Sequence, residues 1–292
     1  MSKFDPINIL VTGANGQLGR RVRAAAERST DNYIYTDVAE LDITDRAAVE
    51  GFVAQNRIDL IINCAAYTNV DQAESDEAMA EKINCAACEV LSSAAKGAGA
   101  TLIHISTDYV FDGEGDRPYK ESDPTSPLGV YGVTKRRGEE AIERSGCNYQ
   151  ILRTAWLYSE ECRNFMLTIL RVSREREELR VVADQIGTPT YAGDLAETIV
   201  SIVASRKYVG EREIYHYSGE GECSWHDFAF AIVECDGGAE RCRVNPCSSD
   251  EYPTPVKRPK YSVLDKSKIQ ERMGVEIPNW REALQRAYNN IK

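Results

Sequence analysis

Apolar positions along the chain fall into short runs separated by longer stretches with helical spacing. Strands are predicted at residues 7–11, 33–36, 59–63, 101–106 and 149–153. Between them the spacing predicts helices at 18–28, 45–56 and 75–96, and a further helix starting at Ser126-Pro127. Serine is a good N-cap, and proline fits the first helical position. Apolar strands that alternate with helices imply a parallel sheet covered on both faces, with right-handed crossovers. After residue 153 the alternation loosens into a helix at 164–175, a strand at 179–182, a helix at 192–204, a strand at 213–217 and a helix at 224–234. The stretch 245–259, with Pro246, Pro253, Pro255 and Pro259, is expected to be a structured loop or linker.

The turn after the first strand, Gly13-Ala-Asn-Gly16-Gln-Leu-Gly19, gives this pattern chemical content. Glycines at these points permit a tight turn, let backbone approach a pyrophosphate and allow close helix packing. The candidate cofactor contacts are Gly13, Asn15, Gly16, Gln17, Leu18 and Gly19 here, and Ala65, Ala66 and Tyr67 after the third strand. Asp37 ends the second strand, where a carboxylate accepts from the adenosine ribose and repels a 2′-phosphate. Arg20 and Arg21 could attract that phosphate, so NADH and NADPH both remain candidates. Asp42 is a candidate adenine contact and, equally, a candidate helix cap. Tyr131 and Lys135 lie one helical turn apart, so both can address the same bound molecule.

Composition narrows the classes. The chain has 292 residues, 42% of them hydrophobic, and a formal net charge of -11, which disfavours nucleic acid and anionic membranes as partners. No apolar run reaches the roughly 18 residues of a membrane span, and Met1-Ser-Lys-Phe-Asp-Pro6 lacks an apolar leader, so the expected location is the cytoplasm. Nine cysteines at irregular spacing suggest free thiols, and Cys85 and Cys88 read as helical positions. Three histidines with no paired spacing give no metal motif.

The segments Val11–Gly19, Asn63–Asp71, Ser106–Gly113 and Tyr131–Lys135 together resemble the extended short-chain dehydrogenase/reductase family. Arg153–Trp156, Asp184–Thr190 and Lys257–Asp265 extend the likeness over nearly the whole chain. The resemblance implies an α/β fold, a Rossmann-like doubly wound parallel sheet with a smaller C-terminal substrate-binding region. Residues 1–153 would form mainly the dinucleotide-binding domain, and 154–292 would complete the sheet and supply the substrate subdomain. It also implies an enzyme that uses NADH or NADPH to reduce the 4-keto group of a nucleotide sugar. Tyr131 would be the general acid, Lys135 would lower its pKa and hold the nicotinamide ribose, and Thr107 would hydrogen-bond the carbonyl. Asn84 matches a position that organises the cofactor side, although a mid-helix asparagine is also ordinary.

Substrate contacts are expected from Thr68, Asp108 and Tyr109 at the carboxyl ends of strands, and from Trp156, which is otherwise a core residue. Arg258 suits a pyrophosphate, its alternative being a plain surface arginine. Some family members hold magnesium at a dimer interface. No such ligand set can be found by spacing here, so no metal is expected, while a homodimer is what the family suggests. Two other readings stay open: a nucleotide-sugar 4-epimerase, and a non-catalytic subunit of the kind that regulates methionine adenosyltransferase.

Overall fold

The computed structural model describes residues 4–291. Met1, Ser2 and Lys3, at the start of the segment read above for an apolar leader, lie outside the described residues. Six strands, β1 (Asn8–Thr12), β2 (Asn32–Thr36), β3 (Leu60–Asn63), β4 (Thr101–Thr107), β5 (Asn148–Thr154) and β6 (Arg212–His216), form one parallel sheet in the order β6-β5-β4-β3-β1-β2. The chain reverses direction of growth at β1 and β3, and in open parallel sheets that crevice is where ligands bind.

Alternation along the strands divides the core between two faces. Ile9, Val11, Ile62 and Ile103 face one way, against α1 (Gln17–Ala25) and the later helix Ala192–Ala204. Leu10, Ile61, Leu102 and Ile151 face the other, against α2 (Arg46–Gln55) and the helices that follow. Each such side chain, once buried, contributes about 1.5–3 kcal/mol, which favours this register over a one-residue slip.

The helix expected at 75–96 begins at Glu77 and runs as Glu77–Glu81, a π-helical turn Lys82–Ala86, and Ala87–Ala98; together these form α3. The π turn presents the Asn84 carbonyl to the next helix, α4 (Val130–Ser145), at Gly138, where a Cβ would stand only 2.1 Å from that oxygen. The expected start of α4 at Ser126-Pro127 is corrected. The helix begins at Val130, with Gly129 as an N-cap that makes no side-chain bond. The Val130 N–H instead donates to Glu74 Oε1 at 2.7 Å, and the Ser126 N–H to the Val110 carbonyl at 2.9 Å. A tertiary partner has replaced the local cap.

Beyond β5 a second apolar cluster gathers Tyr158, Met166, Phe228 and Trp280, away from the main sheet. Small strands flank it, including Glu178–Val182 paired in parallel with Arg243–Cys247. That pairing amends the expectation for 245–259 only at 245–247, where Pro246 sits inside a strand; 248–259 is loop with one 3-10 turn, Ser249–Glu251. Both strands belong to a two-stranded sheet, so the missing N–H of Pro246 falls on an edge. Helices Ser267–Met273 and Trp280–Asn289, not foreseen, close the chain. All nine cysteines are free thiols. Among the described residues no helix is long and apolar enough to cross a membrane, and no group of acidic, histidine or cysteine side chains is arranged to hold a metal.

Candidate active site

The glycine turn packs closely against the sheet because Gly13 and Gly19 have no side chain. Gly13 has φ +64°, and a Cβ there would lie 2.6 Å from the Ala65 nitrogen at the end of β3. At Gly19 a Cβ would lie 2.4 Å from the Gly13 carbonyl oxygen. Helix α1 then starts at Gly16 with no side-chain cap and no acid in its first turn. Its open N–H groups and positive dipole end suit a bound pyrophosphate.

Three adjoining cavities run along the carboxyl ends of the strands. The first, about 620 Å³, is lined by Gly13, Asn15, Gly16, Asp37, Asp42, Ala65 and Ala66, all foreseen, and by Val38, Thr44, Met79 and Lys82, which were not. The second, about 550 Å³, shares Gly16, Cys64 and Ala66 with it and brings together Gln17, Leu18, Thr68, Thr107, Asp108, Tyr109, Tyr131, Lys135 and Trp156. The third, about 670 Å³, continues past Thr68 and Tyr109 to Arg258, Arg180 and Asp71. Three predicted residues stand outside these walls: Gly19, Tyr67 and Asn84. Asn84 is buried and clamps the backbone of Tyr67, accepting from its N–H at 2.9 Å and donating to its carbonyl at 3.1 Å. Its effect on the cleft passes through that loop.

Cofactor-side charges are already engaged. Asp37 accepts from the Asn15 N–H at 3.0 Å, joining β2 to the turn. Asp42 does not cap α2, whose N-cap is Asp45; it accepts from the N–H and hydroxyl of Thr44, which hold its carboxyl below the usual range. Arg20 pairs with Glu161 at 3.2 Å and Arg21 with Glu160 at 2.6 Å, and neither lines the cavity at Asp37. Arg20 also donates from Nε to the Asn15 carbonyl at 2.8 Å, beside the Asp37 cavity, and is half exposed, so it stays within reach of a 2′-phosphate; Arg21 is turned to the 160–161 loop.

In the middle cavity the Thr107 hydroxyl accepts from the Tyr109 N–H at 3.2 Å and donates to Asp108 Oδ1 at 3.0 Å. Burial pushes the Asp108 carboxyl up to about 6 despite that bond. The Tyr131 and Tyr109 rings meet edge to face with centroids 5.5 Å apart. Burial raises the Tyr131 phenol, while its hydrogen bond with Thr107 works the other way. The expected lowering by Lys135 is not seen in the chain alone, because that amine lies on the buried side. It is 2.6 Å from the Ile105 carbonyl and 3.1 Å from His104 Nε2, and burial lowers its pKa.

Below the cleft, Arg153 binds Glu139 through two bonds, Nε to Oε1 at 2.9 Å and Nη2 to Oε2 at 2.7 Å. Burial works against the Glu139 carboxylate, but Arg153 holds its pKa low. The pair ties α4, and hence Tyr131 and Lys135, to β5. Breaking one partner of such a buried pair costs about 3–5 kcal/mol.

At the far end Arg258 is held by Asp71 at 2.6 Å and by the Tyr109 hydroxyl at 3.3 Å. It is aimed into the cleft and is no plain surface arginine. Trp156, with φ +46°, stacks on Trp225 with centroids 3.5 Å apart, and both rings line the middle cavity. Trp225 and Arg180 were missed. Trp225 opens the helix Trp225–Cys235 behind its Ser224 cap, and Arg180 occupies the outward face of an alternating strand. Neither position carries a local signal of ligand contact.

The family described as RmlD substrate binding domain matches residues 7–292. A dTDP-4-dehydrorhamnose reductase of Aggregatibacter actinomycetemcomitans is 42% identical over 294 residues, covering 96% of this chain and 98% of that protein. A crystal structure of a dTDP-4-dehydrorhamnose reductase from Clostridium acetobutylicum superposes with a TM-score of 0.92 at 40% identity, covering 97% of this chain and 99% of its own. Another, from Bacillus anthracis in complex with NADP, has a TM-score of 0.92 at 36% identity, with coverage of 98% and 99%.

Proposed function

The chain belongs to the RmlD substrate binding domain family, and from that premise we propose that it catalyses the NAD(P)H-dependent reduction of dTDP-4-dehydro-L-rhamnose to dTDP-L-rhamnose. The observation that carries the reading is the meeting of Thr107, Tyr131 and Lys135 between a cavity floored by the glycine turn and one bordered by Arg258. The uncapped start of α1 and the space kept by Gly13 fit a dinucleotide, whose nicotinamide, when bound, supplies the hydride.

In this reading the Thr107 hydroxyl turns its one proton from Asp108 to the C4 carbonyl oxygen and fixes that oxygen's direction. Tyr131 gives its phenolic proton to that oxygen as C4 gains hydride, so ketone, hydride and proton become the alcohol. Lys135 addresses the nicotinamide ribose hydroxyls. Asp37 accepts from the adenosine ribose and Asp42 borders the adenine. Asp37 repels a 2′-phosphate and modestly favours NADH, while Arg20, held beside Asn15, leaves NADPH open. Arg258 pairs with the substrate pyrophosphate, Trp156 packs on the sugar, and Thr68, Asp108 and Tyr109 line the space between. We further propose that residues 1–153 serve mainly the dinucleotide and 154–292 mainly the sugar nucleotide, that the enzyme works in the cytoplasm, and that it forms a homodimer.

The test is an assay with dTDP-4-dehydro-L-rhamnose and each reduced cofactor. One cofactor oxidised per sugar reduced is the expected result. Bound NAD+ with no net oxidation would mark an epimerase, and nucleotide binding without turnover a regulatory subunit.

A further inference from the structure

On its buried side, Lys135 meets a network that the reduction described above does not use. Its amine donates to the Ile105 carbonyl and faces Nε2 of His104, a side chain with 0% exposure. Across the ring, His104 Nδ1 is 3.0 Å from Asn63 Nδ2. The Asn63 amide has one workable orientation. Its Oδ1 accepts from the Ala65 backbone N–H at 3.1 Å, a group that can only donate, and from the Thr12 hydroxyl at 2.7 Å. Nδ2 therefore donates to His104 Nδ1, which must present a lone pair. Burial alone holds the imidazole well below the usual histidine range, so the ring is neutral and, with Nδ1 accepting from Asn63, its single proton is on Nε2. That proton points at the Lys135 nitrogen. An ammonium has no lone pair to receive it, whereas a neutral amine has one.

We propose that His104, oriented by Asn63, is a positioning residue that keeps Lys135 as a neutral amine in the cofactor-free chain, and that cofactor binding frees the amine to take one proton from solvent. The second half rests on the assignment of Lys135 to the cofactor; the first does not. The other ionisable groups around the amine are Glu139, one turn along α4, and Cys88 on α3. Both favour the charged amine, yet burial outweighs them. Glu139 is neutralised by Arg153 and Arg136, and burial raises the Cys88 thiol to about 12, so it too is uncharged. Tyr131 on the same helix is a neutral phenol for the same reason.

The test uses the full-length cofactor-free chain with 15N-labelled histidine and 13C-labelled lysine, read by NMR about one unit below the ordinary lysine pKa of about 10.4. His104 should carry its proton on Nε2, and the Lys135 Cε signal should be that of a neutral amine. Asn63→Asp keeps an acceptor for Ala65 but turns a second acceptor toward Nδ1. It should move the ring proton to Nδ1 and return Lys135 to the ammonium. If that variant does not fold, His104→Gln, which offers the amine a carbonyl oxygen, should give the same ammonium. Titration of the wild type with NADH should take up about one proton, read as a binding enthalpy that varies with the buffer's ionisation enthalpy, and Asn63→Asp should take up none. A proton on Nδ1, a charged Lys135 in the wild type, or cofactor binding without proton uptake overturns the proposal. No readout here requires the sugar substrate, so failure to turn over dTDP-4-dehydro-L-rhamnose would count against the proposed reaction alone.

Discussion

The two ends of the cleft are built from different materials. At the glycine turn the floor is main chain and small residues, Gly13, Gly16, Ala65 and Ala66, fixed by β1 and β3. At the other end the walls are long side chains, Arg258, Arg180, Tyr109 and Trp225, drawn from segments far apart in sequence. A site of main chain is specified by which residues lack a side chain and is altered by adding atoms. A site of side chains is specified by what each residue reaches and is altered by removing them.

Changes at the junction, at the turn and at the far end should therefore have separate signatures. Tyr131→Phe, at the junction, should lower kcat by about a thousandfold while leaving cofactor and sugar affinities within about threefold, by steady-state kinetics and fluorescence titration. A loss confined to KM would put Tyr131 in binding. Gly13→Val forces a β-branched residue to φ +64° and against Ala65, and should weaken cofactor binding by at least about a hundredfold with a lowered Tm. Sugar-nucleotide affinity should change far less; equal losses at both ends would dissolve the contrast. Arg258→Ala should raise KM for the sugar nucleotide by about ten- to a hundredfold, with cofactor Kd unchanged, and Arg258→Lys should recover little because the forked geometry is gone. Asp37→Asn, the smallest effect, should raise the NADPH to NADH ratio of kcat/KM by about tenfold. An unchanged ratio would remove Asp37 from cofactor choice.

The same contrast accounts for what the sequence discloses. Gly13, Gly16 and Gly19 are legible because strand, turn and helix are contiguous, and close backbone contacts exclude a side chain at Gly13 and Gly19. Tyr131 and Lys135 are legible because a helical turn brings them together. The true start of α4 is hidden, since Glu74, remote in sequence, supplies the bond that Ser126 was expected to make. The π turn in α3 is hidden as well: it lies where Asn84 meets Gly138, a contact made only when two helices pack. Trp225 and Arg180 look like an ordinary helix start and an ordinary strand face until the chain folds Trp225 against Trp156 and brings Arg180 to the same cavity as Arg258. The strand Arg243–Cys247 is masked by Pro246, which an edge position tolerates.

In the proposed reaction hydride and proton meet the sugar where the cavities join at Thr107 and Tyr131. Reaction of dTDP-4-dehydro-L-rhamnose with cofactor carrying deuterium at the transferred position of its reduced nicotinamide tests this most directly, with the product read by mass spectrometry and NMR. That reaction should give about one deuterium per product molecule, at the sugar C4, formed by the wild type and about a thousandfold more slowly by Tyr131→Phe. Product without deuterium at C4, or label transfer undiminished in Tyr131→Phe, would contradict it.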